Sequence, residues 1–307
     1  MIDPHLKAML EGMEQAGFAL PDPLEAKALR AMLDAPISAP PVEIAERREV
    51  KIDGAQATLH ARLYHPQPGA ILPVVVFFHG GGWVHGTLET HDRLAATIAN
   101  EAHCAVLSID YSLAPEHPFP AAFEDALASI HWVKENTAAL SGDAERIALA
   151  GDSAGGNLAA ALARQLAGDP ALRHQLLLYP ALDASCAAKS FEIEPPGFLS
   201  SAQMRWYWDQ YAASGSRREL VDNPRASPAG GTVSPDTSRA TIVLAGNDPL
   251  HDEGAAYAEK LQAAGVSCHL QSYPDAIHGF ASMIGMVPLA DEAVSAAAAA
   301  LRDSFGD

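Results

Sequence analysis

One segment restricts the fold more than any other: RIALAGDSAGGNLAAAL, Arg146–Leu162. Its apolar first part reads as a buried strand, and its alanine-rich second part reads as a helix. The helix follows the strand almost at once, with Ser153 at the corner and Gly at 151, 155 and 156. So abrupt a turn sets a helix directly on the end of the preceding strand. Continuous apolar runs of the same kind recur as PVVVFFHGGG, CAVLSIDY, HQLLLYP, RATIVLAGND and SCHLQSYP. A strand apolar on both faces is one covered by helices on both sides, as in a parallel sheet. Helical segments are predicted between these runs, over about 90–102, 121–136, 155–167 and 253–264, with a last one from about Ala290. Strands alternating with helices define a doubly wound, mostly parallel α/β sheet. Two more strands, Arg48–Ile52 and Ala57–Tyr64, precede the series and turn at Asp53-Gly54.

Two regions stand outside the alternation. Residues 1–39 read as one or two short helices ending in the loop APISAPPVE. Residues 185–238 hold FEIEPPGFLS, the aromatic stretch SAQMRWYWDQYAAS and a Pro/Gly-rich loop, with no clear buried strand. Together, at about 1–40 and 185–238, they are expected to form a small helical cap on a single domain spanning 1–307. That length suits one α/β domain and needs no disulfide or metal to stabilise it.

Charge and cysteine usage remove several classes. The net charge of −18 argues against nucleic acid and anionic membranes as partners, since both select a basic patch. Cys104, Cys186 and Cys268 are scattered and odd in number, which fits buried thiols rather than a disulfide framework or a zinc site. The first residues lack the basic and apolar regions of a signal peptide, and no apolar run reaches spanning length. A cytoplasmic location is the expectation.

The candidate chemistry lies where parallel strands end, the edge at which open α/β sheets bind ligands. In G-x-S-x-G the corner is sharp, and the glycines leave room for the adjoining strand and helix while the serine hydroxyl stands at a helix N-terminus. The pentapeptide alone arises by chance in about one chain in ten of this length; its position between strand and helix is what makes Ser153 a candidate nucleophile. HGGGW, His79–Trp83, follows another strand, and consecutive glycines let backbone N–H groups converge on an oxyanion. A phosphate loop would need Gly-Lys-Ser/Thr, which is absent, and the G-x-G-x-x-G spacing is missed by one residue. A serine nucleophile needs a base and an orienting acid. His278, in YPDAIHGF, and Asp248, in LAGNDPLHDEG, both follow strands, in the order Ser…Asp…His. Asp252 reads as a residue opening the next helix, and Asp275 is too near His278 to reach back. His79, His85 and His91 recur every six residues, a period that fits neither a helix face nor a strand face, so they read as hydrogen-bonding groups around the glycine loop.

Taken together, HGGGWVHG, HD at 91–92, DYSLAPEHPFPAAFED, GDSAGGNLA, LLLYP, DPLHDEG and HGF resemble the bacterial hormone-sensitive-lipase-like (family IV) carboxylesterases, which are α/β-hydrolases. The matching pieces run from His79 to Phe280. The resemblance implies an eight-stranded, mostly parallel sheet with a helical cap. It implies a catalytic set of Ser153, His278 and Asp248, and an oxyanion hole from the N–H groups of Gly81, Gly82 and Ala154, with Gly80 a weaker member. It further implies hydrolysis of short- to medium-chain acyl esters without a cofactor, and allows a homodimer that no residue pattern here carries. Phe191, Phe198, Met204, Trp206, Tyr207 and Trp208 are candidate pocket residues, although three adjacent aromatics cannot all face one side of a helix. One departure is Ser112, where the family usually has Arg, which leaves the ion pairing near Glu116 in question. The same triad would serve an amidase or a thioesterase. A non-catalytic binding protein on this scaffold, such as the gibberellin receptors that resemble the family, would lack the triad histidine, and a dehalogenase or epoxide hydrolase would carry Asp at position 153.

Overall fold

The computed structural model describes the chain apart from residues 36–39, 56, 194–196 and 307. Residues 36–39 of the loop APISAPPVE lie outside the described residues, as does the centre of FEIEPPGFLS.

Eight strands form one sheet: β1 (Glu46–Asp53), β2 (Thr58–His65), β3 (Leu72–Phe78), β4 (Ala105–Asp110), β5 (Gly142–Asp152), β6 (Leu172–Leu178), β7 (Arg239–Asn247) and β8 (Cys268–Ile277). Their spatial order is β1-β2-β4-β3-β5-β6-β7-β8. β2 is antiparallel to both its neighbours, and every pairing from β4 to β8 is parallel. The connecting helices are α3 (Asp92–Ala102), α4 (Ala121–Asn136), α5 (Ala154–Gln165), α7 (His251–Ala263) and α8 (Pro288–Ser304), with α1 (Pro4–Gln15), α2 (Ala26–Leu33) and α6 (Ser201–Tyr211) outside the alternation. All seven residues of β3 are buried. Val74, Val76 and Phe78 pack on the face that also buries Phe123, Leu158 and Tyr257. Val75 and Phe77 pack on the other face with Ile98, Val294 and Leu301. The period-2 alternation of a strand thus feeds two cores, which explains the absence of polar residues from the run.

Two strands extend beyond their apolar runs. β5 begins at Gly142, with a register shift between Pro73 and Val74 on its partner β3. β8 continues through Pro274 to Ile277, where Pro would be read as the end of a strand. The ladder to β7 shifts register between Ala245 and Asn247, an irregularity that accommodates the missing donor. The consequence is that His278 follows the strand directly. Cys104 and Cys186 are buried as expected, whereas Cys268, at the start of the exposed edge strand β8, is only half-buried.

The two outlying regions are tied to the body by local chemistry. α1 starts on Asp3, whose carboxylate accepts the His5 and Leu6 N–H groups, and the Asp3 N–H reaches the Asp275 carbonyl of β8 at 2.9 Å. α6 opens with a capping box in which Ser200 and Gln203 exchange side-chain and backbone bonds at 3.1 and 2.6 Å. α2 is held by Arg30, which donates to the Val84 and Ala114 carbonyls at 2.7 and 2.8 Å and pairs with both Glu116 oxygens at 2.8 and 2.7 Å. The cation beside Glu116 therefore comes from the N-terminal region. At position 112 the serine N–H donates to Asp125 at 3.1 Å.

At the corner after β5, Ser153 has φ 53° and ψ −116°, a backbone state rarely adopted by non-glycine residues. A Cβ on Gly155 would overlap the carbonyl oxygen of Phe78, and one on Gly151 would overlap the Gly155 backbone. Because the obstacle is backbone on a central strand, it cannot yield as a side chain would. Gly155→Ala is expected to lower stability by about 3 kcal/mol or more, read as an earlier urea midpoint, while the same change at Gly12, where a Cβ meets nothing within 4 Å, leaves the midpoint nearly unmoved or raises it.

Candidate active site

Ser153, His278 and Asp248 come from the ends of β5, β8 and β7, and the sheet order brings them to one edge. His278 Nε2 lies 2.9 Å from Ser153 Oγ, and His278 Nδ1 lies 2.7 Å from Asp248 Oδ2. A carboxylate only accepts, so Nδ1 carries the hydrogen and Nε2 accepts from the serine hydroxyl. The other Asp248 oxygen accepts the Leu250 N–H at 2.9 Å, which fixes the carboxylate plane. The Tyr179 ring meets the His278 ring edge-on, with centroids 4.9 Å apart. Sequence reasoning did not single out Tyr179, although its place at the strand end in LLLYP was the available signal.

The competing acids are placed elsewhere. Asp252 lies in the first turn of α7 and accepts the Ser190 N–H at 3.1 Å. Asp275 lies within β8 and faces the chain's amino terminus, 3.7 Å from its nitrogen. Glu253 is buried near Asp248, with Oε1 accepting the Leu182 N–H at 2.6 Å. Burial pushes its carboxyl well above the ordinary range, and Asp183 and Asp248 add to that, so Glu253 favours the neutral form.

Beside the serine, the N–H groups of Gly81, Gly82 and Ala154 have no hydrogen-bond partner among the described residues. Ala154 is the first residue of α5, where an N–H has no intrahelical acceptor. Gly81 and Gly82 sit at φ 115° and 59°, conformations open to glycine. Gly80 differs: its N–H donates to Asp152 Oδ1 at 2.8 Å and so belongs to the scaffold of the loop. Asp152 also receives His91 Nε2 at 3.3 Å. Burial opposes its charge, but His91, His79 and the Gly80 N–H outweigh that and hold the carboxyl below its ordinary range. The three histidines bond around this loop. His79 Nδ1 donates to the Gly80 carbonyl at 2.7 Å while its ring stacks on Tyr111, and His85 Nε2 lies 3.0 Å from the Tyr207 hydroxyl.

Ser153 and His278 open into a cavity of about 490 Å³. Of the candidate pocket residues, Phe198, Met204 and Tyr207 line it. Phe191, Trp206 and Trp208 do not, contrary to expectation. Trp208 is fully buried against Trp83, with ring centroids 4.3 Å apart. Phe191 is buried beneath Arg205, and Trp206 stands edge-on to Tyr207 on the far side of α6. The reason is helical geometry: successive residues point about 100° apart, so only one of the three adjacent aromatics faces the cavity. The N-terminal region supplies Met9, Met13, Phe18, Leu20, Met32 and Leu33 to the same wall. Nothing in the sequence tied those residues to the serine.

With the fold and this geometry in hand, comparison with known proteins defines the class. A family described as having the alpha/beta hydrolase fold matches residues 75–282. The chain belongs to that family, within its hormone-sensitive-lipase-like branch. It is 40% identical to the ethyl acetate hydrolase of Pseudomonas putida over 252 residues, covering 80% of this chain and 78% of that one. It is also 40% identical to the carboxylesterase NlhH of Mycobacterium tuberculosis over 311 residues, covering 98% and 95% of the two chains. Among solved structures, the hyperthermophilic esterase of Pyrobaculum calidifontis superposes with a TM-score of 0.89 at 35% identity, covering 98% of each chain. No helix among the described residues is long and apolar enough to cross a membrane.

Three buried imidazoles give the protein a pH dependence separate from the Ser153–His278–Asp248 cluster. Burial lowers His79 and His174 to about 3 and His85 to about 4, against 6.5 for the exposed group. Between those values the unfolded chain binds protons that the native state refuses, so stability falls as pH falls. Each histidine contributes about 1.4 kcal/mol per pH unit in that window. The urea midpoint is expected to drop from pH 6.5 toward pH 4.5, and His174→Gln to flatten that slope by about one proton.

Proposed function

We propose that this carboxylic ester hydrolase works through an acyl-enzyme on Ser153, with His278 as general base and acid and Asp248 as the group that orients it. His278 takes the hydroxyl proton as Ser153 Oγ attacks the ester carbonyl. The carbonyl oxygen becomes an oxyanion held by the N–H groups of Gly81, Gly82 and Ala154, with the N-terminus of α5 adding its dipole. His278 then protonates the departing alcohol, and a water activated by the same imidazole releases the acid. The cycle uses no cofactor. α1, α2 and the 185–238 segment act as the cap that encloses the ester's apolar part, and short- to medium-chain acyl esters are the substrates.

What carries this reading is the continuous Asp248–His278–Ser153 hydrogen-bond line, 2.7 and 2.9 Å, opening beside three unpartnered N–H groups into an apolar cavity. The names of the relatives support the reaction class: one is an ethyl acetate hydrolase and another a carboxylesterase.

Hydrolysis of p-nitrophenyl esters from C2 to C12 tests it. Wild type is expected to turn over the shorter esters, and Ser153→Ala and His278→Ala each to lose at least about 10³-fold in kcat. Retained turnover in Ser153→Ala would remove the serine from its role. Absence of ester hydrolysis with cleavage of the matching anilides would move the activity to amides.

A further inference from the structure

Six of the chain's seven methionines line the one cavity into which Ser153 opens: Met9, Met13, Met32, Met204, Met283 and Met286. Among the described residues, only 23 line that cavity. The six arrive from separate parts of the chain: Met9 and Met13 one turn apart on α1, Met32 on α2, Met204 on α6, and Met283 and Met286 just after His278. Helix propensity does not explain the choice, because Leu serves a helix equally well. The positions share only the cavity. Among the described residues the wall contains no Val or Ile, although both are abundant in the neighbouring strands. Its described part thus lacks the apolar side chains that are stiff at χ1 and collects the one with three rotatable bonds and a polarisable sulfur.

We infer that this wall reshapes around its occupant, and that the enzyme accepts esters with a bulky apolar group, branched or ring-bearing as readily as straight. The inference rests on the serine-esterase reading of the site and names the substrate class within it. About 490 Å³ falls in the range that encloses a drug-sized ligand, well beyond an acetyl group. A stiff wall of that size would select one shape, whereas thioethers repack with little loss, as they do at other surfaces that bind varied apolar partners. The thioethers are half-buried or buried except for Met286, which is 42% exposed, so the wall has a side from which an occupant can enter.

The test compares wild type with a variant carrying Met9→Leu, Met13→Leu, Met32→Leu and Met283→Leu, substitutions that nearly conserve volume. One arm varies the acyl group as p-nitrophenyl hexanoate, cyclohexanecarboxylate and 2-phenylpropanoate. The other varies the alcohol as acetates of hexanol, cyclohexanol and 1-phenylethanol. The readout is kcat/KM of each branched or ring-bearing ester divided by that of its straight-chain counterpart, a ratio independent of how much protein is folded. In wild type the ratio is expected to stay within about tenfold of unity in at least one arm, and in the leucine variant to fall by about tenfold or more in that arm. The arm that responds identifies which half of the ester faces the wall. Hydrogen peroxide gives a second measurement that needs no variant: each thioether gains the peroxide oxygen to become a sulfoxide, two electrons pass to the peroxide, and water leaves. Polar sulfoxides should lower the same ratio in wild type. Equal ratios in wild type and the leucine variant, insensitivity of the ratio to peroxide once sulfoxide is seen by mass, or wild-type rejection of ring-bearing groups in both arms would each overturn the inference. Turnover of these esters that survives Ser153→Ala would instead overturn the esterase reading beneath it.

Discussion

Everything at the site depends on how closely α5 begins against the end of β3. The Gly155 backbone rests on the Phe78 carbonyl with no space for a side chain between them. That contact forces the corner at Ser153 into a positive φ and aims its hydroxyl out of the sheet edge. It also sets the first N–H of α5 beside the glycine loop that follows β3, because β3 and β5 are neighbours in the sheet. Ser153 and the free N–H groups of Gly81, Gly82 and Ala154 are thus positioned by one packing event between backbones, which is stiffer than any arrangement of side chains.

A buried carboxylate locks the two loops together. Asp152, adjacent to Ser153, accepts the Gly80 N–H of the glycine loop and faces His91. This consumes Gly80 and leaves Gly81 and Gly82 free, so the geometry chooses between glycines that are equivalent in sequence. On the other side, β7 and β8 deliver Asp248 and His278 one strand apart, while burial favours neutral Glu253. The charges that remain near the serine belong to groups with defined hydrogen-bond partners, the condition under which buried polar groups are tolerated.

The sheet was legible because its strands are long, apolar and separated by helices of ordinary length, and Ser153, Asp248 and His278 were legible because each follows such a strand. The wall of the cavity was not. FEIEPPGFLS and SAQMRWYWDQYAAS offered several aromatics, yet helical rotation sends Trp208 into the core against Trp83 and Tyr207 into the cavity. A cap from residues 1–40 was expected, but its individual contacts were hidden, since Arg30 and the α1 methionines carry no local pattern linking them to partners more than fifty positions away. The continuation of β8 past Pro274 to Ile277 was missed because a local rule about proline gave way to a register shift available only in the paired sheet.

The sequence by itself determined the class of fold, the three side chains at the strand ends and the glycine-rich loop, because periodicity and strand–turn–helix punctuation are local properties that the backbone must obey. Only the tertiary structure decided which glycine N–H groups stay free, which aromatics turn inward and that six distant methionines share one wall. Those outcomes depend on which surfaces meet when the chain closes, and no short-range preference encodes that.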